Sequence, residues 1–238
     1  MIVIMKKNNI LLIGMIFILA IALYTLNPGR GRVSPVNSGN TQKTILLDAG
    51  HGGEDPGAVS DYSGTSEKDI NLNIVLEIKR LLEAENYKVM LTREEDRLEY
   101  QEDTTNIVQK RKQDLLRRKK MMDEAGADIV VSIHLNKFPQ TKYYGAQTFF
   151  PPKMQQSQKL AMSIQKSIRE NLDPSNKREA LVKKEPIIIL KDCKTTTVVV
   201  ECGFLSNPEE EKKLQNKEYQ DKTAFAVKEG IKAYFAKN

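Results

Sequence analysis

Only two histidines occur in the 238 residues, His51 and His134, and each follows an apolar run. Ile45, Leu46 and Leu47 lead into Asp48 and then into a loop that carries His51 among Gly50, Gly52, Gly53 and Gly57. The mostly β-branched run Ile129 to Ile133 delivers His134 directly. Two imidazoles just past strands point to one shared site at the carboxyl edge of a sheet, where open α/β folds place their ligands. The chemistry that needs them is metal catalysis: zinc takes two or three imidazole or carboxylate ligands and keeps one position open. The plainer alternative is a structural histidine at each strand end.

Two carboxylates could complete such a site. Glu67 stands at the first turn of a helix not far downstream of His51, as a third ligand or as a mere complement to the helix dipole. Glu201 ends the run Thr195 to Val200, which should be buried, and a carboxylate there is costly unless it is paired or does chemistry. Burial would raise its pKa toward that of a general base, while the plain reading is a salt bridge to a nearby Lys or Arg. Taken together, His51, Glu67 and His134 would hold Zn2+ while Glu201 faces the open position. Glu201 would then take a proton from water and pass it to a leaving amine, which is amide hydrolysis. Asp48 is expected to orient a histidine and Asn136 to touch substrate.

The elements that must position these residues alternate along the chain. Strands are expected at Ile45–Leu47, Tyr87–Leu91, Ile129–Ile133, Gly145–Phe150, Ile187–Leu190 and Thr196–Glu201. Helices are expected from Ser66 (as N-cap) to about Glu85, Gln109 to Ala125, Gln155 to Asn171, from Pro208 briefly, and Tyr219 to Phe235. The fold class is α/β, with a single mixed, mostly parallel twisted sheet of about six strands and helices on both faces. The sheet is expected to be mixed because Ile187–Leu190 and Thr196–Glu201 are too close in sequence for a parallel crossover. The basic run Arg117 to Lys120, preceded by Lys110, Arg111 and Lys112, reads first as a solvated helix face, and otherwise as a contact for anionic polymer or headgroups.

Composition sets the outer bounds. Net charge is +6 and 40% of residues are hydrophobic, enough for a core and suited to an anionic partner. No nucleic-acid-reading motif is present, so membrane surface or cell wall is expected and nucleic acid is not. Lys6 and Lys7 precede the uncharged run Ile10 to Leu26, an export signal or membrane anchor with its basic end on the cytoplasmic side. The expected organisation is a signal or anchor segment at 1–26, a flexible linker at 27–43 and a catalytic domain at 44–238. The chain would be exported to the extracytoplasmic side of the membrane or to the cell wall. Cys193 and Cys202 flank an extended strand, which keeps them too far apart to bridge, so free thiols are expected.

The segments LLDAGHGGEDPGA, SEKDINLNI, VMLTREED, ADIVVSIHLN and VVVECGFLSNPEE, in this order, resemble the zinc-dependent N-acetylmuramoyl-L-alanine amidases of the amidase_3 type. The resemblance covers Thr44 to about Phe235. It implies zinc ligands at His51, Glu67 and His134, a catalytic Glu201, and cleavage of the amide between N-acetylmuramic acid and the L-alanine of the peptidoglycan stem. Ala49 replaces a usual Pro, Leu135 a common Ala, and Met122-Asp123 a usual Ala-Asn. Leu135 and the short anchored layout are more similar to the spore-cortex, germination-specific amidases of the CwlD type, which trim stem peptides toward muramic-δ-lactam. No wall-binding module is seen after the last helix, so recruitment to peptidoglycan is expected through the N-terminal segment or an accessory protein. Two alternatives use the same residues: a zinc peptidase acting within the stem peptide, and a non-catalytic wall-binding module.

Overall fold

The structure, a computed structural model, describes residues 42–183 and 187–237. The expected signal or anchor segment and nearly all of the linker lie outside the described residues. Within them, no helix is long and apolar enough to cross a membrane.

The chain runs β1 (Thr44–Ala49), α1 (Glu67–Ala84), β2 (Lys88–Leu91), α2 (Ile107–Glu124), β3 (Ile129–Asn136), β4 (Gln147–Phe150), α3 (Gln155–Asn171), β5 (Leu181–Val182), a 3₁₀ turn at Ile188–Leu190, β6 (Thr196–Phe204), α4 (Pro208–Gln215) and α5 (Lys217–Phe235). The six strands form one sheet in the order β2-β1-β3-β6-β4-β5. β1 pairs in parallel with β2 and β3, and β3 with β6, whereas β4 runs antiparallel to β6. The mixed α/β sheet is as expected, but its cause differs. Ile187–Leu190 is not a strand: Ile189 and Leu190 turn inward and pack on the face of the sheet, with Leu46, Val130, Val199 and Met122. A four-residue apolar run has too little periodicity to separate these cases. The edge position falls instead to the two exposed residues of β5.

Strand alternation divides the sheet into two faces. Ile45, Leu47, Ile129, Val131, Ile133, Val198 and Val200 pack against α1, α3 and α5 in the larger core. The opposite face, under α2 and the 3₁₀ turn, changes along the strands. Its lower layer is dry, with Leu46, Val130 and Val199. One step further on come Asp48 and Ser132, which share a register, and then His134, which is opposite Glu201. Polarity therefore rises toward the carboxyl ends of three adjacent parallel strands.

Helix α2 presents most of its basic run to solvent, as the sequence suggests, but not Arg118. Asp114, Arg118 and Met122, spaced four apart, form its buried stripe. Arg118 is 2% exposed because its guanidinium meets two carboxylates, with Nη1 3.1 Å from Asp48 and Nε 2.6 Å from Asp114. Helix α1 also begins differently from its sequence signature. Ser66 is the N-cap by position but makes no side-chain cap bond. Loop carbonyls take that role, as Glu67 N donates to Ala58 O and Lys68 N to Pro56 O.

Candidate metal centre and catalytic cleft

β1 ends at Ala49 and the chain turns at once, so His51 is presented above the sheet edge. Its backbone φ is 64°, a left-handed value that non-glycine residues adopt only when their surroundings hold it. Two buried arginines supply that hold. Arg93 donates to the carbonyls of Ala49 (2.9 Å) and Gly50 (3.1 Å), and Arg118 donates to those of Ala49 (2.5 Å) and His51 (2.7 Å). Asn71 adds a third donor to Gly50 O at 3.2 Å. Three successive carbonyls are thus pinned by side chains from β2's end, α2 and α1.

His134 lies inside β3, which continues to Asn136, and not past its end as the sequence suggests. The imidazoles of His51 and His134 meet edge to face, 5.1 Å between centroids. Gly50 and Gly57 allow this approach, since a Cβ at Gly50 would collide with the His134 ring and one at Gly57 with His51 and Glu67. Glu67, 2% exposed, sits between the rings. Its Oε1 is 3.0 Å from His134 Nδ1 and its Oε2 is 3.4 Å from His51 Nε2. Backbone N–H groups of Leu135 (2.9 Å) and Ala58 (2.8 Å) fix the two carboxylate oxygens. Asp55 accepts from His51 Nδ1 at 2.8 Å and sets that ring's orientation.

Charge follows this packing. Burial opposes protonation of His51, but the carboxylates of Asp55 and Glu67 outweigh it and raise the pKa to about 10. Burial would raise Glu67, yet the two histidines hold it well below the usual carboxylate range. Glu201 goes the other way: burial, reinforced by the charge of Glu67, pushes its pKa up against the pull of His134 and Lys183. Its Oε2 is buried without a hydrogen-bond partner, and its Oε1 is 3.8 Å from Lys183 Nζ, beyond hydrogen-bond range. The plain alternative, a salt bridge at Glu201, is present as this long contact with Lys183, which leaves Oε2 without a partner.

The structure therefore brings the four sequence candidates together. His51, Glu67 and His134 offer ligand atoms within 4.8 Å of one another. Two imidazole nitrogens and one carboxylate oxygen are a donor set that suits zinc, whereas calcium and magnesium prefer all-oxygen shells. These residues and Glu201 line one cleft of about 450 Å³, walled by Leu98, Leu115 and Ile187 to Ile189. Two sequence assignments are corrected. Asp48 hydrogen-bonds to no histidine among the described residues; it accepts from Thr92, Ser132 and Arg118 beneath the site. Asn136 does not line the cleft, because two more residues of β3 carry it past the opening. Asp55, Arg93 and Arg118 were not singled out. Asp55 follows His51 by four residues in a turn-rich loop, and that spacing was the available signal.

The sequence model of the Amidase_3 family, N-acetylmuramoyl-L-alanine amidase, matches residues 45–233. The chain belongs to the N-acetylmuramoyl-L-alanine amidases. It is 35% identical, over 81% of its length and 80% of the relative's, to the germination-specific N-acetylmuramoyl-L-alanine amidase of Bacillus subtilis. Among solved structures it resembles the CwlD amidase of Clostridioides difficile in complex with the GerS lipoprotein. The TM-score there is 0.80 and the identity 45%, covering 83% of this chain and all of that one. An N-acetylmuramoyl-L-alanine amidase of Clostridium difficile 630 matches with TM-score 0.71 and 28% identity, covering 82% and 97%. The amidase acts on the amide between N-acetylmuramic acid and L-alanine, and its cleft holds Leu135 as a buried wall residue.

Proposed function

We propose that this amidase is a zinc enzyme of spore-cortex maturation, in which His51, Glu67 and His134 bind the ion and Glu201 is the general base. The observation that carries the reading is the convergence of three ligand atoms beside a buried carboxylate whose Oε2 has no partner. Zinc, when bound, supplies Lewis acidity toward the scissile carbonyl and toward water. The protein's own part is positional and protolytic. Asp55 and the pinned loop carbonyls keep His51 oriented, and backbone N–H groups keep Glu67 oriented. Glu201, with its raised pKa, accepts a proton from the attacking water and returns one to the leaving L-alanine nitrogen. The apolar wall of Leu98, Leu115 and Ile187 to Ile189 limits bulk water around these transfers.

The cortex assignment draws on the germination-specific relative and on the CwlD structure. That CwlD structure contains a lipoprotein, so an accessory lipoprotein is proposed here too, meeting an amidase held outside the cytoplasmic membrane by its N-terminal segment. Digestion of purified peptidoglycan by the full chain, with fragments identified by mass, tests the activity: a free lactyl carboxyl on muramic acid is expected. A new terminus within the peptide would sink it. Chelation should abolish turnover and zinc restore it. Glu201→Gln should lower kcat by about 10²–10⁴-fold with metal content unchanged.

A further inference from the structure

The catalytic cleft does not end at Glu201. A second hollow of about 410 Å³ adjoins it and shares two lining residues with it, Lys183 and Ile187. One wall of this hollow is the turn after β4, with Pro152 and Lys153, and the other is the turn before β6, with Lys191 and Asp192. Among the described residues that line it, Lys153, Lys183 and Lys191 stand against one carboxylate, Asp192. Lys153 and Lys191 are exposed and form no ion pair with any described side chain. Some other cations near the cleft are ion-paired, as in Lys110 with Glu54 and Arg111 with Asp55.

Lys183 joins the two spaces. Its Nζ lies 4.5 Å from the centroid of the Phe149 ring and 3.8 Å from Glu201 Oε1, so the ammonium is held in place while its donors remain available. A substrate whose scissile amide lies at Glu201 has its next residue within about 7 Å, the reach of two extended residues. The two sides of that amide differ in charge. The peptide beyond L-alanine carries free carboxylates, whereas the sugar ring presents hydroxyl and N-acetyl groups. Complementarity then decides which side enters the lysine-lined hollow.

We propose that this hollow is the stem-peptide subsite, where Lys153, Lys183 and Lys191 bind the carboxylates that follow L-alanine. The inference rests on the amidase reading and deepens it, by giving the enzyme selectivity for acidic over amidated stems. The test uses the full chain and two N-acetylmuramoyl peptides that differ only in whether the residue after L-alanine carries a free or an amidated side carboxyl. The unsubstituted enzyme should favour the free acid by about tenfold in kcat/KM, mostly through KM, and lose that preference at high salt. The double variant Lys153→Ala/Lys191→Ala, which keeps Lys183, should cut that preference to under about threefold. Equal rates with the unsubstituted enzyme, or a preference undiminished in the double variant, overturns the proposal while leaving the amidase reading intact. A second arm measures calorimetric binding of the released acidic peptide alone. Charge reversal, Lys153→Glu/Lys191→Glu, should weaken it about tenfold, and unchanged affinity overturns the subsite. A chain that binds this peptide in a lysine-dependent way yet cleaves neither substrate retains the subsite and loses the amidase reading.

Discussion

Asp55 shows what a single side chain adds to this centre. Its Oδ2 is 2.8 Å from His51 Nδ1, which fixes the ring so that Nε2 faces Glu67. Partners of this kind affect metal affinity by about 10–100-fold, so Asp55→Ala should weaken zinc binding by that factor in a competition titration while the far-ultraviolet circular dichroism stays unchanged. Asp48 makes a separate contribution, to stability. Burial would raise its pKa, but Arg118, His134, Ser132 and Thr92 together bring it down to about 2 from 3.8. A depressed carboxylate stabilises the fold above its unfolded pKa and loses that effect as pH falls through the folded value. The contribution, on the order of 2 kcal/mol at neutral pH, should vanish between about pH 4 and pH 2. Urea unfolding of the native chain and Asp48→Asn should therefore differ most near pH 7 and converge near pH 2. At this scale the sequence was legible where chemistry is rare. Two histidines and a carboxylate at the end of a β-branched strand stand out, whereas Asp55 is one acidic residue among many and depends on a turn for its role.

Helix α2 is the element whose function the sequence concealed. Four consecutive cations look like a wet surface, yet the turn geometry buries the second of them and leaves the first half-covered. Arg118 was recoverable only by asking what would neutralise Asp48 and Asp114, a question that requires tertiary proximity. Removing a buried charge leaves its partners uncompensated, so Arg118→Ala should cost about 3–5 kcal/mol in urea unfolding. Arg117→Ala, whose ion pairs are partly solvated, should cost under about 1 kcal/mol. Near-equal losses would contradict the helix's role as a brace for the His51 loop. The strands were read more reliably because β1, β3 and β6 each carry an apolar run, Ile45–Leu47, Ile129–Val131 and Val198–Val200, ahead of their functional polar residues, a pattern that suits a doubly covered sheet. The error at Ile187–Leu190 has another origin: four apolar residues are too few to show the period that separates strand from turn.

For the molecule as a whole, the site joins parts distant in sequence: β1's loop, the start of α1, and the ends of β3 and β6. A ligand that binds only this folded arrangement stabilises it by mass action, about 2.7 kcal/mol at a hundredfold excess over Kd. Zinc should accordingly raise the melting temperature of the chelator-stripped protein by about 5–10 °C, read by calorimetry. No change would mean that the three ligands do not act as one centre. The fold class and the sheet's crossing pattern followed from alternating apolar runs, while the strand order and the antiparallel β4 depended on packing that no local signal encodes.

The graded face beneath α2 has one further consequence. Leu46, Val130 and Val199 form a dry base, Asp48, Ser132 and Arg118 an ionic stratum above it, and His134 with Glu201 the top layer at the cleft. Tolerance to replacement should be stratified in the same order, with the base accepting other aliphatics of similar bulk and the middle accepting almost nothing. New substrate preferences would then arise along the rim of the cleft, insulated from the foundations by a layer that rarely drifts.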